Sequence, residues 1–145
     1  MDAVRQRFVD RILLALSEVS RPMEWGRDDC MLWVANILFD VTGVDPAKHW
    51  RSGYSELQAK ERLGRRGILP VVLQCVREHG WKEIEPKSAQ AGDVAIVKTS
   101  HKGRRVFSAM ICRASGNGKT WFVGRNETGA TMLESAHVHR AWSVA

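Results

Sequence analysis

Trp25-Gly26-Arg27-Asp28-Asp29-Cys30-Met31-Leu32-Trp33-Val34-Ala35-Asn36-Ile37-Leu38-Phe39-Asp40-Val41-Thr42-Gly43 is the stretch from which the rest of the fold can be read. From Met31 to Phe39 it is apolar on nearly every face, which predicts a buried central helix over about residues 30–42 and not a surface one. Gly26 marks a turn before it, and either Asp28 or Asp29 can cap its start with a carboxylate oxygen. Gly43 is a natural stop in the left-handed conformation.

The elements around this helix follow from periodicity. Upstream, Val9, Ile12, Leu13, Leu16 and Val19 recur at helical steps, with Arg5, Arg7, Arg11 and Glu18 expected to face water. Ser20-Arg21-Pro22 ends that helix, because the residue before proline resists helical angles. Downstream, Asp45-Pro46 predicts a turn or short helix start, and Ser55-Glu56-Leu57-Gln58 fits a capping box that opens a third helix, with Gly67 as its stop. Leu69, Val72, Leu73 and Val76 predict a fourth, stopped by Gly80.

The second half reads as strands at residues 93–98, 106–112, 120–123 and 141–144, with Asn117-Gly118 as a hairpin turn between the second and third. Residues 86–92 join the halves. Helices first and an antiparallel meander afterwards is an α+β pattern, and the length of 145 residues fits one domain over residues 1–145.

Composition narrows the function classes. With 44% hydrophobic and 26% charged residues the chain is globular, and no apolar run approaches the ~20 residues needed to span a bilayer. Residues 1–16 are charged and amphipathic, without the layout of a signal peptide. The three cysteines, Cys30, Cys75 and Cys112, are odd in number and match no zinc or redox spacing, so free thiols made in a reducing cytoplasm are expected. The histidines His49, His79, His101, His137 and His139 make no metal motif; His137 and His139 alternate and would share a face on a strand. Gly116-Asn117-Gly118-Lys119-Thr120 lacks the upstream glycine of a phosphate-binding loop and leads into a strand, so it reads as a turn. No metal and no cofactor are expected.

The net charge is +6, with basic clusters at Lys60, Arg62, Arg65 and Arg66 and at Lys98, Lys102, Arg104 and Arg105. No helix-turn-helix, metal finger or aromatic-basic alternation accompanies them, so they read as solvated surface and the sequence argues against nucleic acid as a partner. Cys30 is different. At the first turn of a buried helix the macrodipole favours a thiolate, as in many cysteine nucleophiles, whereas the adjacent Asp28 and Asp29 disfavour one. The alternative is a cysteine that is simply part of the core.

Trp25-Gly26-Arg27-Asp28-Asp29-Cys30, taken in order with Gly43-Val44-Asp45-Pro46, Gly53-Tyr54, Gly92-Asp93-Val94-Ala95 and Arg140-Ala141-Trp142-Ser143-Val144, resembles a family of phage and prophage proteins that is similar to the NlpC-type, papain-like cysteine peptidases. The resemblance runs from about residue 21 to the end. It implies a papain-like fold in which Cys30, the candidate nucleophile, tops a helix packed on an antiparallel sheet, with Trp25 and Asp29 toward the substrate. It implies cleavage of cell-wall peptides for working members, and a catalytic histidine that faces Cys30 from the opening of the second strand, the one that follows the strand after Gly92-Asp93. That position is held by Ser108, which cannot serve as a general base near neutral pH. His101, in the connecting hairpin, is an alternative base, and His137 and His139 are others. The expectation is therefore a phage-type tail protein, at the tail tip or in tail assembly, with an impaired or inactive peptidase site and an interaction role. Its partners would be other tail proteins of the hub or tip, and peptidoglycan. The alternative is an active thiol peptidase that opens peptidoglycan peptides during envelope penetration. On either reading the chain is made in the bacterial cytoplasm and ends in the virion. The six tryptophans, Trp25, Trp33, Trp50, Trp81, Trp121 and Trp142, would divide between core and interface.

Overall fold

The computed structural model describes residues 2–101 and 103–145, with His101 described through its backbone. These residues form four α-helices, α1 (Ala3–Ser17), α2 (Cys30–Thr42), α3 (Glu56–Leu63) and α4 (Leu69–His79), then six strands. The strands are β1 (Lys82–Ile84), β2 (Val94–His101), β3 (Arg104–Gly116), β4 (Lys119–Arg125), β5 (Ala130–Glu134) and β6 (Arg140–Ser143). They make one antiparallel sheet in the order β1-β6-β2-β3-β4-β5. The class is α+β.

The helices cover one face of the sheet. Phe8 and Ile12 of α1, eight of the thirteen residues of α2, Ala59 of α3 and Val72 of α4 share a core with Val94, Ile96, Ala109, Ile111, Val123 and Trp142. Residues one position out of step turn to the other face, as the two-residue period of a strand requires. There Ala95, Val97, Met110, Cys112, Phe122 and Ala141, with Leu133 of β5, pack under a thinner cover that includes Ala89 and Val138. Two short 3₁₀ turns, Pro86–Ser88 and Ser135–His137, flank those cover residues, and Thr120 and Ser115 donate to the carbonyls of Lys87 and Ala89. The first part of the joining segment, residues 86–89, thus belongs to this second layer, while Ala91 and Gly92 return to the helix side.

Helix α2 has the predicted limits, capped by Asp29 and closed by Gly43 at φ +76°. The capping box at Ser55 and Gln58 is present. Three details differ from expectation. Helix α3 stops at Gly64, not Gly67. In α1 the buried face is Arg5, Phe8, Ile12 and Ala15, while Leu13 and Leu14 are exposed. Arg5, expected in water, is buried and pairs with Asp93 at 2.7 Å. Asp93 also accepts from the backbone N–H groups of Gln90 and Val144, and Arg5 donates to the Ala91 carbonyl. Beside it, Gly92 (φ +97°) lies so close to Phe8 that a Cβ would fall 2.2 Å from the ring. Gly92-Asp93 is where α1 is bolted to the sheet.

A second buried arginine fixes the approach to α2. Arg125, at the end of β4, donates to the carbonyls of Val19 and Arg21, and the Met23 N–H donates to the Glu127 carbonyl. The linker between α1 and α2 is held in place by this loop before it reaches Trp25.

Candidate functional site

The site at the start of α2 is built from the turn over residues 24–29. Asp28 accepts from the Glu24 N–H, and the Arg27 and Asp28 N–H groups donate back to the Glu24 carbonyl. Gly26 adopts φ +81°, and a Cβ there would lie 2.5 Å from the Tyr54 nitrogen, so only glycine lets the two segments touch. Asp29 then caps the helix. One carboxylate oxygen accepts from the Met31 and Leu32 N–H groups, and the other accepts from the Gly26 N–H and from the Tyr54 hydroxyl at 2.6 Å. Asp29 is 1% exposed. All four acceptances are internal, and they order the turn that carries Cys30.

Cys30 is partly exposed at the first residue of α2. Its thiol is pushed up to about 12, first by burial of the sulfur and second by the Asp29 charge; the N–H groups of Met31 and of Cys30 itself pull the other way and lose. The macrodipole argument for a thiolate is outweighed at this position. No described imidazole is among the groups acting on the thiol. Tyr54 is also shifted upward, by burial, by its hydrogen bond to Asp29 and by the neighbouring negative groups.

Aromatic side chains line the same place. Trp50 meets Tyr54 edge-on at 5.7 Å between centroids, and the Arg62 guanidinium lies 3.9 Å above the Trp50 ring while donating to the His49 carbonyl. Trp25 is half-buried against the main core.

The strand expected to face Cys30 carries a different residue inward. Phe107, Ala109 and Ile111 belong to the helix-side core, and Met110 and Cys112 to the opposite one. Ser108 is therefore on the face turned away from α2, 3.3 Å from the Thr99 hydroxyl. The expectation that Cys30 faces Ser108 is corrected by this parity: a one-residue difference in position is a change of sheet face. His137 ends a 3₁₀ turn, and His139 precedes β6, its N–H donating to the Ile96 carbonyl, so the two do not share a strand. His139 packs on Phe107 at 5.3 Å. The His101 side chain and Lys102 lie outside the described residues. Among the described residues no group of three or more His, Cys, Asp or Glu is placed to hold a metal, and no helix is long and apolar enough to cross a membrane.

Sequence reasoning found Cys30 and its cap but not Tyr54 as the cap's fourth donor.

Residues 6–144 match a family described as a domain of unknown function (DUF6950), and the chain belongs to that family. No curated protein and no solved structure matches it.

Proposed function

We propose that this protein is a phage-type tail component, at the tail tip or in tail assembly, built on an NlpC-type papain-like frame and acting through structure and contact instead of hydrolysis. The tail assignment rests on the ordered motifs from Trp25 to Val144. The loss of chemistry rests on one observation: Ser108, which holds the position where the resemblance implies a histidine, lies on the sheet face turned away from α2, while the residue beside Cys30 is the buried carboxylate of Asp29. Proton transfer by a positioned base contributes about 10²- to 10⁴-fold in such enzymes. Burial and the Asp29 charge also push the thiol up to about 12, away from the thiolate that a nucleophile needs.

The same α+β arrangement, with a cysteine-topped helix on an antiparallel sheet, supports the frame. Trp25 and Trp50, both only partly buried, support a contact surface, since such side chains anchor interfaces well.

The deciding experiment is the alkylation rate of Cys30 by iodoacetamide between pH 6 and 10, with Cys75 and Cys112 replaced by serine. A rate that climbs with pH and reaches no plateau supports the non-catalytic reading. A plateau below about pH 7 would mean a hidden imidazole or cation and would turn the proposal into its alternative, an active thiol peptidase on peptidoglycan peptides. The tail assignment is tested separately, by mass spectrometry of purified particles from the encoding host; absence of the chain from intact tails and from their assembly intermediates would overturn it.

A further inference from the structure

The β2–β3 hairpin continues past its neighbours. Strand β6 pairs with β2 only at Val94, Ala95 and Ile96, and β4 pairs with β3 only from Ile111 onward. From Val97↔Ser108 to His101↔Arg104 the two strands pair with each other alone, as a two-stranded ribbon beyond the sheet. Lys98, Ser100, Arg104, Arg105 and Val106 on it are exposed. Residues 97–108 contain four cations and no acid, which leaves the rest of the chain at only +2. Among the described residues no carboxylate pairs with Lys98, Arg104 or Arg105. Unneutralised cations on a narrow ribbon make a concentrated positive field.

We propose that this ribbon binds duplex nucleic acid through its phosphate backbone. The ribbon has the form that a major groove admits. It presents the two groups that phosphates recruit, guanidinium or ammonium cations and the exposed hydroxyl of Ser100. A protein partner would call for apolar anchors at the centre of the patch, and the exposed ribbon offers only Val106, with Phe107 half-buried against the core. The absence of a known nucleic-acid motif in the sequence does not bear on this mode, because backbone binding needs charge and reach but no base-reading helix.

The test is fluorescence anisotropy of a labelled duplex of about 20 base pairs with the full chain, from about 50 to 200 mM salt. Three phosphate contacts give a slope of log K against log salt of about −3, so affinity should fall roughly 40-fold over that range. The variant Lys98→Gln/Arg104→Gln/Arg105→Gln, which keeps Lys102, should bind at least tenfold more weakly at the low-salt end, with a slope no steeper than about −1. The variant Lys60→Gln/Arg65→Gln/Arg66→Gln should keep the wild-type slope. Thermal melts of both variants confirm folding first; if the ribbon variant melts early, single Arg104→Gln and Arg105→Gln changes replace it, each reducing the slope by about 1. Wild-type protein that fails to bind at the lowest salt, or a ribbon variant that binds as wild type, overturns the proposal. So does equal binding to poly-L-glutamate, which would make the partner an acidic protein.

Discussion

The Arg5 guanidinium lies 2.7 Å from the Asp93 carboxylate, with 6% and 2% of the two side chains exposed, and this pair joins the first turn of α1 to the start of β2. A buried charge left alone is far more costly than a buried pair. Arg5→Ala should therefore destabilise the fold by about 3–5 kcal/mol, read as a shift in the urea midpoint at constant slope. A loss below ~1 kcal/mol would mean that water reaches Asp93 and that the bolt is weak.

Gly26 and Gly43 both have positive φ, yet only Gly26 faces another backbone. Gly43→Ala should cost about 1–2 kcal/mol, the left-handed penalty alone. Gly26→Ala adds a contact of 2.5 Å with Tyr54 to that penalty and should cost clearly more, with a loss of the Asp29–Tyr54 hydrogen bond. Equal melting temperatures for the two variants would refute the close approach.

Asp29→Asn removes the charge that raises the Cys30 thiol while keeping a competent helix cap. Alkylation of Cys30 at pH 8 should become several-fold faster, with the helix intact by circular dichroism. Because burial is the larger cause, the rate should remain far below that of a free thiol. An unchanged rate would remove Asp29 from the account.

All three thiols are pushed upward, Cys30 and Cys112 to about 12 and Cys75 to about 11, each mainly by burial. Folded-state values above the unfolded ones mean stability that is complete below about pH 9 and is lost as pH rises toward 11 and 12, because the unfolded chain gives up its protons first. Urea midpoints should fall between pH 8 and pH 10.5, and fall less in a variant with all three cysteines replaced by alanine. Parallel profiles for the two proteins would sink this reading.

The sequence made the helices legible because their signals are local. Asp29, Gly43, the Ser55 capping box and Gly80 each act within one turn of their own helix. Arg5 was not legible as a core residue, since its partner stands 88 positions away and an arginine on an amphipathic helix ordinarily faces water. Strand β1 is three residues long and largely exposed, and β5 alternates too weakly to stand out; both are strands only because β6 and β4 offer them an edge. The face of Ser108 was missed for a related reason. Its neighbours Phe107, Ala109, Met110 and Ile111 are apolar without alternation, so a strand covered on both faces hides which residues look toward α2.

The sheet order carries a consequence for how the chain matures. Strand β6 lies between β1 and β2, so Lys82 meets Ser143 only after about 60 further residues have been made. During synthesis β1 has nothing to pair with, and β2 carries an open edge until β6 slots in. Pairings of such sequence separation form late and slowly. Whatever order the helices take, the β1 and β2 edges are closed only when residues 140–143 arrive.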